Sequence, residues 1–213
     1  MSEMNPLVAE AKKHQSEGSQ LLARGSYAEA REQFLKAIDT NPSWPQPHLG
    51  LGQTFFFQKR PNLTNAIQSF RRVVELSPDW AEGYHWLGVA QEKQGDLQDA
   101  VGSLEQATRL APSDTRPLIC LGVCLTRLKQ FAAAIAHFRH AINLKPHYAE
   151  ASAHLFLADA LKGSGQIHAA CEQWKIVLEM PDEHPEYGSA KKEARQMLKR
   201  HCDSHSAERR RKR

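Results

Sequence analysis

Between residues 81 and 114 the chain runs twice through an apolar stripe at helical spacing followed by a short polar break. Tyr84, Leu87, Gly88, Ala90 and Gln91 share the first stripe, Gly95-Asp96 breaks it, Ala100, Leu104 and Ala107 carry the second, and Pro112 ends it. The spacing predicts two amphipathic helices joined by a tight turn. Neither stripe is wide enough to stabilise a helix alone, so the hairpin needs neighbours built like itself. The small residues Gly88, Ala100 and Ala107 are where another helix backbone is expected to come close.

The pattern recurs along the chain. The alanine of the second helix returns as Ala30, Ala66, Ala100, Ala134 and Ala170, at spacings of 36, 34, 34 and 36 residues. Four residues after each stands a large side chain: Phe34, Phe70, Leu104, Phe138 and Trp174. Three further on comes Ala37, Val73, Ala107, Ala141 or Val177. Proline closes four copies at Pro42, Pro78, Pro112 and Pro146, and Pro181 stands one place early in the fifth. A small residue precedes each alanine by twelve positions, or fourteen in the second copy: Gly18, Gly52, Gly88, Gly122 and Ala158.

At these columns the chain resembles the tetratricopeptide repeat (TPR) family, a helix–turn–helix of about 34 residues with small residues at repeat positions 8, 20 and 27 and proline at 32. The resemblance implies an all-α fold, an α-solenoid of about five repeats with a C-terminal capping helix. The repeats are expected at 11–44, 45–80, 81–114, 115–148 and 149–184, after a lead-in of residues 1–10 that opens a helix at Asn5-Pro6. The first helix of the first repeat is the most polar, as the end of a solenoid requires. Residues 185–201 form the capping helix, with Tyr187, Ala190, Ala194, Met197 and Leu198 on one side and Lys191, Lys192, Glu193 and Arg195 towards water. Residues 202–213 have no apolar period and are expected to be disordered.

Three local features qualify the array. The two extra residues of the second repeat fall in its turn, where Asn62 or Thr64 can cap the following helix. Phe55, Phe56 and Phe57 point about 100° apart on a helix, so at least one must leave the core. In the fourth repeat Lys129-Gln130 stands where glycine is usual.

Charge sits at one end. The formal net charge is +4, but residues 209–213 (Arg209, Arg210, Arg211, Lys212, Arg213) hold five of the 28 basic groups and leave 23 against 24 acids elsewhere. A nearly neutral body argues against a nucleic-acid groove in the array itself. The tail, with Lys199-Arg200 upstream, has the look of a two-part import signal, and it also suits nucleic acid or an anionic membrane. No apolar run of 18 residues exists, and the first fifteen residues lack a secretory core, so the cytoplasm is the expected location. Cys120, Cys124, Cys171 and Cys202 form no CxxC pair and are expected to be reduced, packed thiols.

Catalytic chemistry finds no support. There is no GxSxG, P-loop, HExxH or glycine-rich dinucleotide turn, and the repeats leave no room for an enzyme domain or a cofactor. His137 with His140, and His201, Cys202 and His205, lack the further ligands a metal needs.

Binding of another protein is the expected function, as a non-catalytic scaffold or adaptor. The resemblance implies that first helices line a concave groove through repeat positions 2, 5, 6, 9, 12 and 13. These positions hold Leu49, Gln53 and Phe56, then Glu82, His85, Trp86, Val89 and Glu92. They continue with Arg116, Ile119, Val123 and Arg127, then Ser152, Leu155, Phe156, Asp159 and Lys162. An apolar stripe rimmed by charge marks an interaction site, and Trp86 is its expected anchor. Two groove chemistries of the family are excluded by position. The carboxylate clamp for chaperone tails needs Lys and Asn where a register begun at the second repeat offers Leu49, Gln53, Trp86, Arg116 and Cys120; registers begun at the first or third repeat match no better. The asparagine ladder at position 6 is replaced by Ser16, Gly50, Trp86, Cys120 and Phe156. The expected occupant is therefore an apolar partner segment, an amphipathic helix or an extended peptide, and no small-molecule substrate.

Overall fold

The computed structural model describes residues 6–144, 150–181 and 185–202. Within them the chain forms eleven helices: α1 Pro6–Ala23, α2 Tyr27–Thr40, α3 Pro45–Phe57, α4 Leu63–Leu76, α5 Ala81–Gln94, α6 Leu97–Leu110, α7 Thr115–Arg127, α8 Phe131–Asn143, α9 Glu150–Gly163, α10 Ile167–Glu179 and α11 Pro185–His201. They form five helical hairpins and a capping helix, packed in sequence within each of two units. Two compact units divide the chain, Met1–Pro112 with α1 to α6 and Ser113–Arg213 with α7 to α11. Pro146, His205 and the basic tail Arg209–Arg213 lie outside the described residues.

The repeated columns are the core. None of Ala30, Phe34, Ala37, Ala66, Phe70, Val73, Ala100, Leu104, Ala107, Ala134, Phe138, Ala141, Ala170, Trp174 or Val177 is more than 1% exposed. At Gly88 the close backbone expected there is present, the Ala100 carbonyl oxygen 3.2 Å from an added Cβ, and the small-residue column also receives a large side chain. A Cβ added at Gly122 would lie 2.6 Å from the Phe138 ring, and one at Gly88 would lie 2.6 Å from Leu104 Cγ. The space left by Gly18, Gly52, Gly88 and Gly122 is filled by the large side chain of the same hairpin's second helix, Phe34, Phe70, Leu104 and Phe138. Position 8 and the large residue four places after the column alanine are therefore one joint.

The hairpin turns share a closure. The amides of Ser26, Asp96, Gln130 and Gln166 each donate to the carbonyl five residues back, on Leu21, Gln91, Leu125 and Leu161, at 2.8–2.9 Å. This bond follows a left-handed residue. Gly25, Gly95 and Gly165 supply it, and Lys129 takes the same conformation (φ 60°) with a side chain attached. The longer turn of the second hairpin uses a different stop: Asn62 Oδ1 accepts the Asn65 amide at 3.1 Å and caps α4. The three phenylalanines of α3 part as the helical angle requires. Phe55 lies under the Arg31 guanidinium, Phe56 is buried, and Phe57 is exposed.

Two expectations fail in the second unit. Lys191 is buried rather than turned to water, because it continues the Tyr187, Ala190, Ala194 stripe one turn from each end and its stem covers apolar surface. Cys171 and Cys202 are joined in a disulfide, with Cα atoms 6.2 Å apart, while Cys120 and Cys124 are in none. The pairing escapes a search by spacing because α10 and α11 bring together residues 31 apart in sequence. Two polar clasps also repeat across the array: His14 Nδ1 meets Gln33 Oε1 at 2.8 Å, and His154 Nδ1 meets Gln173 Oε1 at 2.8 Å. Both span 19 residues, so the same pair of columns makes them. Among the described residues no helix is long and apolar enough to cross a membrane.

Candidate functional site

In the first unit, α3 and α5 carry the expected face. Proline at the start of α3 and the extended backbone at Trp80 before α5 set where each helix begins. Leu49, Phe56 and Leu87 join Ile67, Phe70 and Val73 in one apolar cluster, against which Trp86 and Val89 pack half-buried. Gln53 is half-buried beside them. His85 is buried with its ring 5.8 Å from Trp86.

Trp86 stands at the centre of an aromatic group. Its ring stacks on the core Phe70 at 6.0 Å between centroids and meets Phe56 and Phe57 edge-on at 5.8 and 5.5 Å. Such separations suit aromatic pairs, which favour offset or edge contact over a face-to-face sandwich. Phe57 keeps 46% of its surface exposed. Lys93 Nζ sits over the Phe56 ring, 4.3 Å from its centroid, where the ring's negative face attracts the ammonium. Trp86 Nε1 is buried and has no hydrogen-bond acceptor among the described residues. Phe57 and Lys93 both occupy position 13 of their first helices and were not singled out from sequence. The signal for Phe57 was the run of three phenylalanines, one of which had to leave the core.

In the second unit, α7 and α9 carry the corresponding residues. Ile119 and Leu155 are buried, Val123 is half-buried, and Arg127 is exposed at the end of α7. Phe156 is 37% exposed and stacks on the core Phe138 at 6.0 Å. Arg116 turns back on its own helix start: its guanidinium reaches Asp114 at 2.7 Å, and the same carboxylate caps α7 through the Arg116 amide at 2.9 Å. Lys162 pairs with Asp159 at 2.7 Å. Within the described residues no group of three or more histidine, cysteine or acidic side chains is placed to hold a metal ion.

Stacked antiparallel hairpins with one repeated core joint, and first helices that present a partly apolar face, define a helical-repeat protein. Comparison with known proteins gives the family. The TPR repeat model matches residues 60–95, and a second tetratricopeptide repeat model matches residues 87–149. Among solved structures, MamA from Desulfovibrio magneticus RS-1 superposes with a TM-score of 0.72 at 23% identity, covering 80% of this chain and 94% of that one. Pseudomonas aeruginosa pilF does so with a TM-score of 0.72 at 19% identity, covering 92% and 93%. The chain is a tetratricopeptide repeat protein. Curated relatives include the cell division cycle protein 27 homolog of Caenorhabditis elegans, 30% identical over 102 residues, or 48% of this chain. Hsc70-interacting protein 1 of Drosophila melanogaster is 30% identical over 103 residues, again 48% of this chain. The matches cover 13% to 27% of the length of the first of these curated relatives. Repeats of this family are typical of proteins that bind other proteins.

Proposed function

We propose that this chain is a non-catalytic scaffold or adaptor whose first-helix faces receive an apolar segment of another protein. The observation that carries this reading is the aromatic group around Trp86. Phe57 leaves nearly half its surface in water although Trp86 and Phe56 offer it neighbours on one side. A partner side chain laid against Phe57 would bury its open face. The indole N–H of Trp86 is buried, so Trp86 supports docking by backing the exposed Phe57 ring rather than by a hydrogen bond to the partner. An amphipathic helix or an extended peptide brings such an apolar side chain. Phe156 offers a second, smaller apolar seat on the second unit.

The name of Hsc70-interacting protein 1 speaks of Hsc70 as a partner of that protein. The positions that would clamp a chaperone tail here hold Leu49, Gln53, Trp86, Arg116 and Cys120, and Arg116 is already engaged by Asp114. The reading therefore favours an apolar segment over a terminal carboxylate.

The test uses exposed positions, so that folding is spared. Proteins recovered from a native extract by the wild-type chain are compared with those recovered by the Phe57→Ser, Phe156→Ser double variant, with helical content checked by circular dichroism. A recovered partner is then titrated directly against both. Loss of affinity with unchanged helicity is the expected result. Equal affinity of wild type and variant for every recovered partner sinks the docking reading.

A further inference from the structure

The grip of α11 on the second unit weakens along its length. Tyr187, Ala190, Lys191 and Ala194 are buried in its first half. Met197 and Leu198 are only half-buried, and Lys199 and Arg200 are exposed. Apolar anchorage thus fades over the last two turns, which is where a terminal helix frays. Two contacts tie that end to α10. The His201 ring stacks on Trp174 of α10 at 5.9 Å, and Cys202, whose amide continues the helix by donating to Leu198 at 2.8 Å, is bonded to Cys171 of α10.

The two cysteines differ in burial. Cys171 is buried, whereas Cys202 is half-buried beside the cationic Lys199 and Arg200. Cys202 is therefore the more open end of the bond to an incoming thiolate, and positive neighbours in the sequence favour its approach. We propose that the Cys171–Cys202 bond is a thiol-exchange site, a reversible latch by which a dithiol reductant frees the end of α11 and uncovers the Trp174 edge of α10.

The chemistry balances as follows. One thiolate of the dithiol attacks Cys202 Sγ, forming a mixed disulfide and expelling the Cys171 thiolate, which takes up a proton. The second thiol of the reductant, losing its proton, attacks its own sulfur in the mixed disulfide and releases Cys202. The protein bond gains two electrons and becomes two thiols; the dithiol loses two and becomes a cyclic disulfide. Cys120 and Cys124 are in no disulfide, so the reductant has no second disulfide to open in this chain. With the latch open, Tyr187, Ala190, Lys191 and Ala194 stay packed, and the half-buried last turns lose their covalent tie to α10. The proposal does not depend on the docking reading above.

The test is amide hydrogen exchange read by mass spectrometry on the full chain, oxidised and after treatment with dithiothreitol. Peptide mapping without reductant first asks whether the tryptic peptides holding Cys171 and Cys202 travel together. The expected result is that they do, and that reduction speeds exchange in 197–202 roughly tenfold or more. Exchange in 150–163 and in α1 to α6 stays as it was. Cys202→Ser is expected to show the fast exchange at all times and to ignore the reductant. Three results would overturn the latch: unlinked peptides in the oxidised protein, equal exchange of 197–202 in both states, or reduction that speeds exchange across α7 to α10 alike, which would make the bond a structural staple.

Discussion

Two glycines in one hairpin are expected to respond to the same substitution with opposite signs. Gly88 lies inside α5 and Gly102 inside α6, so alanine at either removes the flexibility of glycine in a helix interior, a gain of about 1 kcal/mol. At Gly102 nothing lies within 4 Å of the new Cβ, and the gain stands alone. At Gly88 the Cβ would fall 2.6 Å from Leu104 Cγ, 3.0 Å from its Cδ2 and 3.2 Å from the Ala100 carbonyl oxygen. Cγ is the branch point of a side chain with no exposed surface, held between Ala100 and Ala107, so it cannot swing clear. Overpacking of this kind costs about 1–3 kcal/mol, and a branch atom backed by a backbone oxygen belongs at the upper end. Gly88→Ala is thus expected to destabilise by about 2 kcal/mol net, and Gly102→Ala to stabilise by about 1 kcal/mol. The assay is urea denaturation followed by circular dichroism, reading the midpoint of the transition that contains α5 and α6, since arrays of repeats need not unfold in one step. Leu104→Ala in the Gly88→Ala background is expected to cost less than in the wild type, because it removes the clashing branch. A Gly88→Ala midpoint at or above the wild-type value would refute the joint between position 8 and the large column.

Three further outcomes are expected. Phe138→Ala opens a cavity at a side chain with no exposed surface and is expected to cost about 3–5 kcal/mol in the same denaturation assay; retained stability would contradict its place in the core. Lys129→Gly relieves the one non-glycine left-handed residue among those described, which costs about 1–2 kcal/mol for an L side chain, partly offset by about 0.4–1 kcal/mol of glycine freedom in the unfolded chain; a small rise in melting temperature is expected and a fall would refute it. His48 has its pKa held below 6.5, chiefly by burial, while its Nε2 donates to the Pro42 carbonyl at 3.0 Å. Between the folded value and 6.5 the unfolded chain binds more proton, so stability rises with pH there and is lost on acidification from 6.5 downward. His48→Gln is expected to flatten that part of the stability–pH curve, and an unchanged slope would remove His48 as its source.

The core was legible in the sequence because every column residue meets the same partner in each hairpin. Ala134 with Phe138, and Ala66 with Phe70, are readable as soon as one copy is recognised, since the period alone carries the contact. The turns were half legible: Gly25, Gly95 and Gly165 announce their conformation, whereas Lys129 does so only by standing in their column. The first-helix face was less so. Leu49 and Phe156 look alike in sequence, each an apolar residue at a groove position, yet one is buried and the other exposed. Neighbouring helices decide that difference, and the repeat pattern does not encode how far each one reaches. Cys171 with Cys202, and Lys191 within an apolar stripe, depend on where one particular helix docks, so no column points to them.

On the proposed docking reading, the rings and the surface charges of the two faces are prepared for a partner to different degrees. Trp86 and Phe156 already lie on core rings, Phe70 and Phe138, so much of the cost of ordering them is met in folding. That cost is about 0.5–1.5 kcal/mol for a side chain immobilised on association. Arg116 and Lys162 are instead paired with Asp114 and Asp159 of their own surroundings, and a partner must compete for them in water. Affinity from these faces is therefore expected to reside in the rings and to appear in the dissociation rate, with charge acting mainly on association. A partner whose dissociation ignores Phe57→Ser and Phe156→Ser, yet whose affinity collapses with salt, would be held by charge, and the aromatic seats would then be bystanders.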